Sequence, residues 1–69
     1  MTDRDRIMKA ARDHGWAVAP SPVAVTIGKP GTRVAVRFAG NGTAEHARID
    51  GREVKRDKAA AVIKHLREH

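Results

Sequence analysis

The chain has 69 residues, with 14 Lys and Arg against 8 Asp and Glu, a formal net charge of +6 and a pI near 10.9. That length allows one small domain with no second core, and the absence of cysteine excludes disulfide staples and thiolate metal sites. No apolar run is long enough to span a bilayer, and the Met1-Thr-Asp-Arg-Asp-Arg6 start lacks the apolar stretch of a signal peptide, so the expectation is a cytoplasmic protein with no membrane partner. Trp16 and Phe38 are the only aromatics, and much of the hydrophobic fraction is alanine. Such a core is thin, and pairing into a homodimer is one way to enlarge it. The basic balance favours nucleic acid, RNA or DNA, or another polyanion as partner.

In chain order, Thr2-Asp-Arg-Asp5 has the form of a capping box, and Asp3 and Asp5 place negative charge at the positive end of a helix dipole. Ile7, Met8 and Ala11 recur at helical spacing and Gly15 is a natural stop, which predicts a helix over about 3–14. Trp16-Ala-Val-Ala19 can form a short extended piece, with Trp16 plugging the end of the core. Pro20 and Pro22 lack backbone donors, which forbids regular ladder pairing there, so the chain is expected to bend or bulge before the hairpin.

The strongest pattern is Val23 to Phe38. Val23, Val25 and Ile27 on one arm and Val34, Val36 and Phe38 on the other alternate with small or polar residues, the period of two half-buried strands. Pro30-Gly31 turns the chain between them. Thr26, Arg33, Ala35 and Arg37 fall on the wet face. Asn41-Gly42 is a type I′ hairpin signal, followed by a strand over about 43–49 with Ala47 and Ile49 inward and Ala44, His46 and Arg48 outward. Asp50-Gly51 turns again, and Arg52-Glu-Val54 can add a brief extended segment. Asp57 is a candidate N-cap for a last helix over about 57–67, with Ala59, Val62, Ile63 and Leu66 on its apolar stripe. The predicted fold is an α-β-β-β-α two-layer sandwich of α+β class, a single domain over 1–69 with a three-stranded antiparallel sheet and both helices on one face.

Two groups of cations are candidate sites. Arg33, Arg37 and Arg48, with His46 beside them, stand on the sheet face opposite the helices, where guanidiniums can meet phosphates through paired hydrogen bonds. An uncovered sheet face must be polar in any case, and this one lacks the aromatics on which single-strand binders stack bases. Lys55, Arg56 and Lys58 surround the mouth of the last helix, where backbone donors already favour an anion, and Lys29 at the hairpin tip is a third contact if it lies on the same side. His65 and His69 are spaced i, i+4, but two ligands do not close a metal site. No nucleophile motif, Gly-rich phosphate loop or carboxylate pair is present, so neither enzyme activity nor a cofactor is expected.

The element order resembles the double-stranded RNA-binding domain, and Lys55-Arg56-Asp57-Lys58-Ala59-Ala60-Ala61 is similar to the lysine-rich opening of that family's second helix. The fourth and fifth places are exchanged, and Val62 and Ile63 stand where that family has paired alanines. Ile7 to Trp16 also resembles the first helix and Gly-aromatic step of HicA-type RNA-cleaving toxins. Their Gly-Ser-His signature is replaced here by Pro20-Ser-Pro-Val23, and His46 on a later strand does not inherit its role. Small orphan proteins of GC-rich bacteria and their phages look similar. Together these readings lead to a non-enzymatic mini-domain that binds the phosphate backbone with little sequence readout. The alternative is a protein-interaction module, such as a small phage or bacterial factor that engages an acidic host protein.

Overall fold

Two helices lie on one face of a five-stranded antiparallel sheet in the computed structural model, which describes Met1 to His69. The elements are α1 (Asp3–Asp13), β1 (Ala17–Pro20), β2 (Ala24–Lys29), β3 (Thr32–Phe38), β4 (Ala44–Ile49), β5 (Arg52–Val54) and α2 (Lys58–Glu68). The strands form a meander in sequence order, so β3 is central and β1 and β5 are the edges. The α+β class and the order of the long elements agree with the sequence. The count of three strands does not, because Ala17–Pro20 and Arg52–Val54 are members of the ladder.

Pro20 enters a strand because of where its missing donor points. Ser21 N–H donates to the Ala24 carbonyl at 2.8 Å, which fixes Ser21 and Ala24 as a hydrogen-bonded pair. Hydrogen-bonded and open pairs alternate along an antiparallel ladder, so Ala19 with Thr26 is bonded and Pro20 with Val25 is open. The nitrogen of Pro20 therefore faces outward, where the ladder needs no donor.

Alternation sorts the sheet as the sequence implies. Val25, Ile27, Val34, Val36, Phe38 and Ala47 are buried against Ile7, Ala11, Val62 and Leu66 of the helices, while Thr26, Arg33, Ala35, Arg37, His46 and Arg48 are exposed. Two residues depart. Val23, expected on the inward face, lies just before β2 and is 54% exposed. Ala44 packs against the core rather than facing out, because a bulge after Arg37 pairs Phe38 with Ala44 and leaves Glu45 as the extra residue.

The capping box of α1 is present, with Asp5 N–H donating to Thr2 Oγ1 and Thr2 N–H donating to Asp5 Oδ2, both at 3.2 Å. The β3–β4 loop completes this helix end. Gly42 O accepts from Arg4 N–H at 3.1 Å, and Asp3 Oδ2 accepts from Ala44 N–H at 3.0 Å. Only Gly42 in this loop has positive φ (87°), so the turn is not the two-residue type I′ form that Asn41-Gly42 signals. The closure runs instead from Ala39 to Thr43, with Ala39 N–H donating to Thr43 O at 2.8 Å. Arg4 reaches the other way, donating to Ser21 O at 2.7 Å and lying 5.4 Å from the Phe38 ring centre.

Candidate nucleic-acid interface

The outer face of the sheet is open to solvent, and its geometry follows from register. Ala35 of β3 stands directly opposite Arg48 of β4, and Arg37 stands opposite His46. Arg48 is therefore the diagonal neighbour of both Arg33 and Arg37, at about 7–8 Å by ordinary sheet geometry. Arg33 and Arg37 are four residues apart on the central strand, about 13 Å. The three guanidiniums are thus rooted in a zigzag on adjacent strands of the sheet.

None of the three is neutralised within the chain. The ion pairs are Arg6 with Asp3, Lys9 with Asp13 and Lys64 with Glu68, all on the helices. Glu53 of β5 is directly opposite Arg48 yet forms no ion pair with it. Beside Arg37 and Arg48 lies a shallow depression of about 430 Å³ lined also by Ala24, Thr26, Ala35, His46 and Glu53, and Arg33 stands outside it. Small side chains in this lining keep the surface flat and leave the guanidiniums proud of it.

The remaining predicted cations do not form one site. Lys55 and Arg56 are exposed at the corner where the chain leaves β5 for the helix layer. Lys58 is half-buried at the start of α2, in a hollow also lined by Arg6, Asp3 and Asp57, so the residues at the mouth of the helix are of mixed charge. Asp57 occupies the N-cap position but does not cap: its backbone is left-handed (φ 46°, ψ 51°) and its side chain makes no capping hydrogen bond.

Lys29 lies at the opposite end of α2, about 16 Å along the 11-residue helix from Lys58. Its Nζ donates to His69 O at 3.3 Å and sits 4.7 Å from the Trp16 ring centre. Lys29 is thus held against the carbonyl end of α2, where the dipole favours a cation. Lys29 therefore does not lie on the same side as the mouth of α2, the condition on which it would join Lys55, Arg56 and Lys58.

A denser cluster surrounds Lys29, and local spacing gives no sign of it. Thr32 Oγ1 lies 2.8 and 2.9 Å from the two Asp50 oxygens and 2.9 Å from His65 Nε2. A hydroxyl has one proton, and the carboxylate can only accept, so Thr32 donates to Asp50 and His65 Nε2–H donates to Thr32. Arg33 N–H also donates to Asp50 Oδ1 at 2.8 Å. That backbone bond, followed by the Thr32 hydroxyl, holds the Asp50 carboxyl below its ordinary range. Burial, followed by the neighbouring charge of His69, lowers the His65 imidazole. The His65 and His69 rings are stacked at 4.3 Å, and Trp16 Nε1–H donates to Leu66 O at 2.9 Å. These contacts join α2 to the turns at the ends of the strands and make the cluster a fastening between them. Thr32 and His65 are 33 residues apart, so only the fold brings them together.

No helix is long and apolar enough to cross a membrane. No family model matches the chain, and comparisons with curated proteins and with solved structures also give no match.

Proposed function

We propose that this chain is a non-enzymatic nucleic-acid-binding mini-domain that takes phosphates on Arg33, Arg37 and Arg48, with the exposed Lys55 and Arg56 just beyond the end of β5. The observation that carries the reading is the trio of guanidiniums, uncovered and free of ion pairs, fixed on adjacent central strands. Like charges held this closely repel one another in the free protein, and a polyanion relieves that repulsion while releasing its own counterions. Both aromatics are buried on the helix side, so the outer face has none on which to stack bases. The expected ligand is therefore a duplex held by its backbone, in preference to a single strand, with little sequence readout.

A strand-edge route to a protein partner is less well supported. The alternation of the β1 ladder leaves Val18 as the only residue of that edge with an outward N–H, since Pro20 has none. On β5 the two-residue Asp50-Gly51 turn makes Ile49 with Arg52 a bonded pair, so Glu53 alone turns its N–H outward. One donor per edge is little for strand addition.

The test is salt-titrated binding to labelled duplex DNA, duplex RNA and single strands. Three phosphate contacts on duplex DNA give a slope of log K against log salt of about −2.7. Combined Arg33→Gln, Arg37→Gln and Arg48→Gln abolishes most of the binding, whereas Arg12→Gln with Arg67→Gln on the helices leaves it nearly intact. Failure of every nucleic acid to bind at low salt, or equal losses in the two sets of variants, overturns the reading.

A further inference from the structure

We infer that His46 is a titratable member of this face, so that affinity for a polyanion rises as pH falls through the histidine range. The inference rests on the proposed phosphate-binding role and adds its regulation.

His46 is exposed and directly opposite Arg37 on β3, and Arg48 stands two residues along on its own strand, on the same face. On the other side, the β4–β5 register pairs Ala47 with Val54, so Lys55 follows one step beyond the last paired position. Glu45, the extra residue of the bulge, precedes it in the chain, and Glu53 lies diagonally across β5. The charged groups around the imidazole are thus Arg37, Arg48 and Lys55 against Glu45 and Glu53. No hydrogen bond within the chain engages the ring, unlike that of His65. Both ring nitrogens are therefore open to a ligand on the face.

In the free protein the cations beside the ring on this face are Arg37 and Arg48. A phosphate seated between Arg37 and Arg48 reverses the sign of that local field and favours the imidazolium. Ligand binding then takes up a proton at His46, and by linkage the protonated protein binds more tightly. The sign does not depend on where the ring titrates in the free chain, because only the difference between bound and free states enters. A change of one pKa unit on binding corresponds to at most about tenfold in affinity, so the expected gain from about pH 8 to about pH 5.5 is several-fold.

The experiment measures binding of a fluorescent duplex DNA of mixed sequence by anisotropy across that range at fixed salt, for the parent and for His46→Gln and His14→Gln. The parent and His14→Gln tighten several-fold in acid, while His46→Gln binds with nearly constant affinity. NMR titration of the histidine rings, with and without the duplex, shows the His46 midpoint moving up on binding. A parent that binds equally well across the range, or a His46→Gln variant that keeps the full pH dependence, overturns this inference and leaves the phosphate-binding role standing. A parent that binds at no pH overturns that role itself.

Discussion

A methyl group at Gly42 would lie 2.7 Å from Thr2 Cβ, on a backbone whose φ of 87° disfavours any side chain. Since Gly42 O also accepts from Arg4 N–H, the residue cannot move without uncapping α1. Gly42→Ala is therefore expected to lower unfolding free energy by about 1–3 kcal/mol, read by urea denaturation. At the other pole, Trp16→Phe keeps an aromatic plug but removes the indole donor to Leu66 O. Losing the partner of a buried carbonyl costs about 1–3 kcal/mol, so this variant is also destabilised, without loss of helix content by circular dichroism. The sequence showed the capping box and the burial of Trp16, because both follow from residue type and local spacing. It did not show Thr32 bonded to His65 or Lys29 against the end of α2, which depend on a register set by distant elements.

Among the elements, legibility followed length. The β2–β3 hairpin and both helices carry enough residues for their periods to stand out, and their positions follow the chain's alternation closely. β1 and β5 have four and three residues, too few for a period, and they gain their place by pairing with longer neighbours. Pro20 reads as a breaker until the pairing parity is known; it then reads as a residue that blunts an edge. Asp57 shows the reverse case, an N-cap type at the N-cap position whose left-handed backbone carries the chain from β5 into α2.

The contact between α2 and the strand turns is sensitive to acid. The folded state lowers His65 from its ordinary value of 6.5, mainly by burial, so folding favours the neutral ring. Its contribution is complete above that value and is lost as pH falls through it towards the lower folded value. Asp5, Asp13 and Asp50 are all lowered from 3.8, so theirs is present above 3.8 and is lost below it. Thermal unfolding followed from about pH 8 to about pH 3 should show two separate falls in Tm, and His65→Gln should remove the upper one. A single fall confined to the carboxylate range, in the parent chain, contradicts this account.

For the molecule as a whole, charge and size act together. Its principal extents are 30 × 22 × 18 Å, and at about 0.01 M salt the screening length is about 30 Å, so all the charges sense a net excess of +6. At about 0.15 M the length falls to about 8 Å and most of that repulsion is screened. Tm should therefore rise with added sodium chloride over this range, the opposite of a protein stabilised chiefly by surface ion pairs. The triple Arg33→Gln, Arg37→Gln, Arg48→Gln chain should show a smaller rise. Duplex DNA at low salt should raise the Tm of the parent and not of that variant, since a ligand bound only by the folded state stabilises it by mass action.

The single indole of the chain is enclosed where α2 ends, with a cation over its ring and the His65 ring 5.9 Å away. Its emission is consequently a built-in optical gauge of how firmly the last helix is seated. Detachment of that helix lets water reach the fluorophore and moves its spectrum to longer wavelength, so docking and undocking can be timed on the unlabelled protein in a stopped-flow cell.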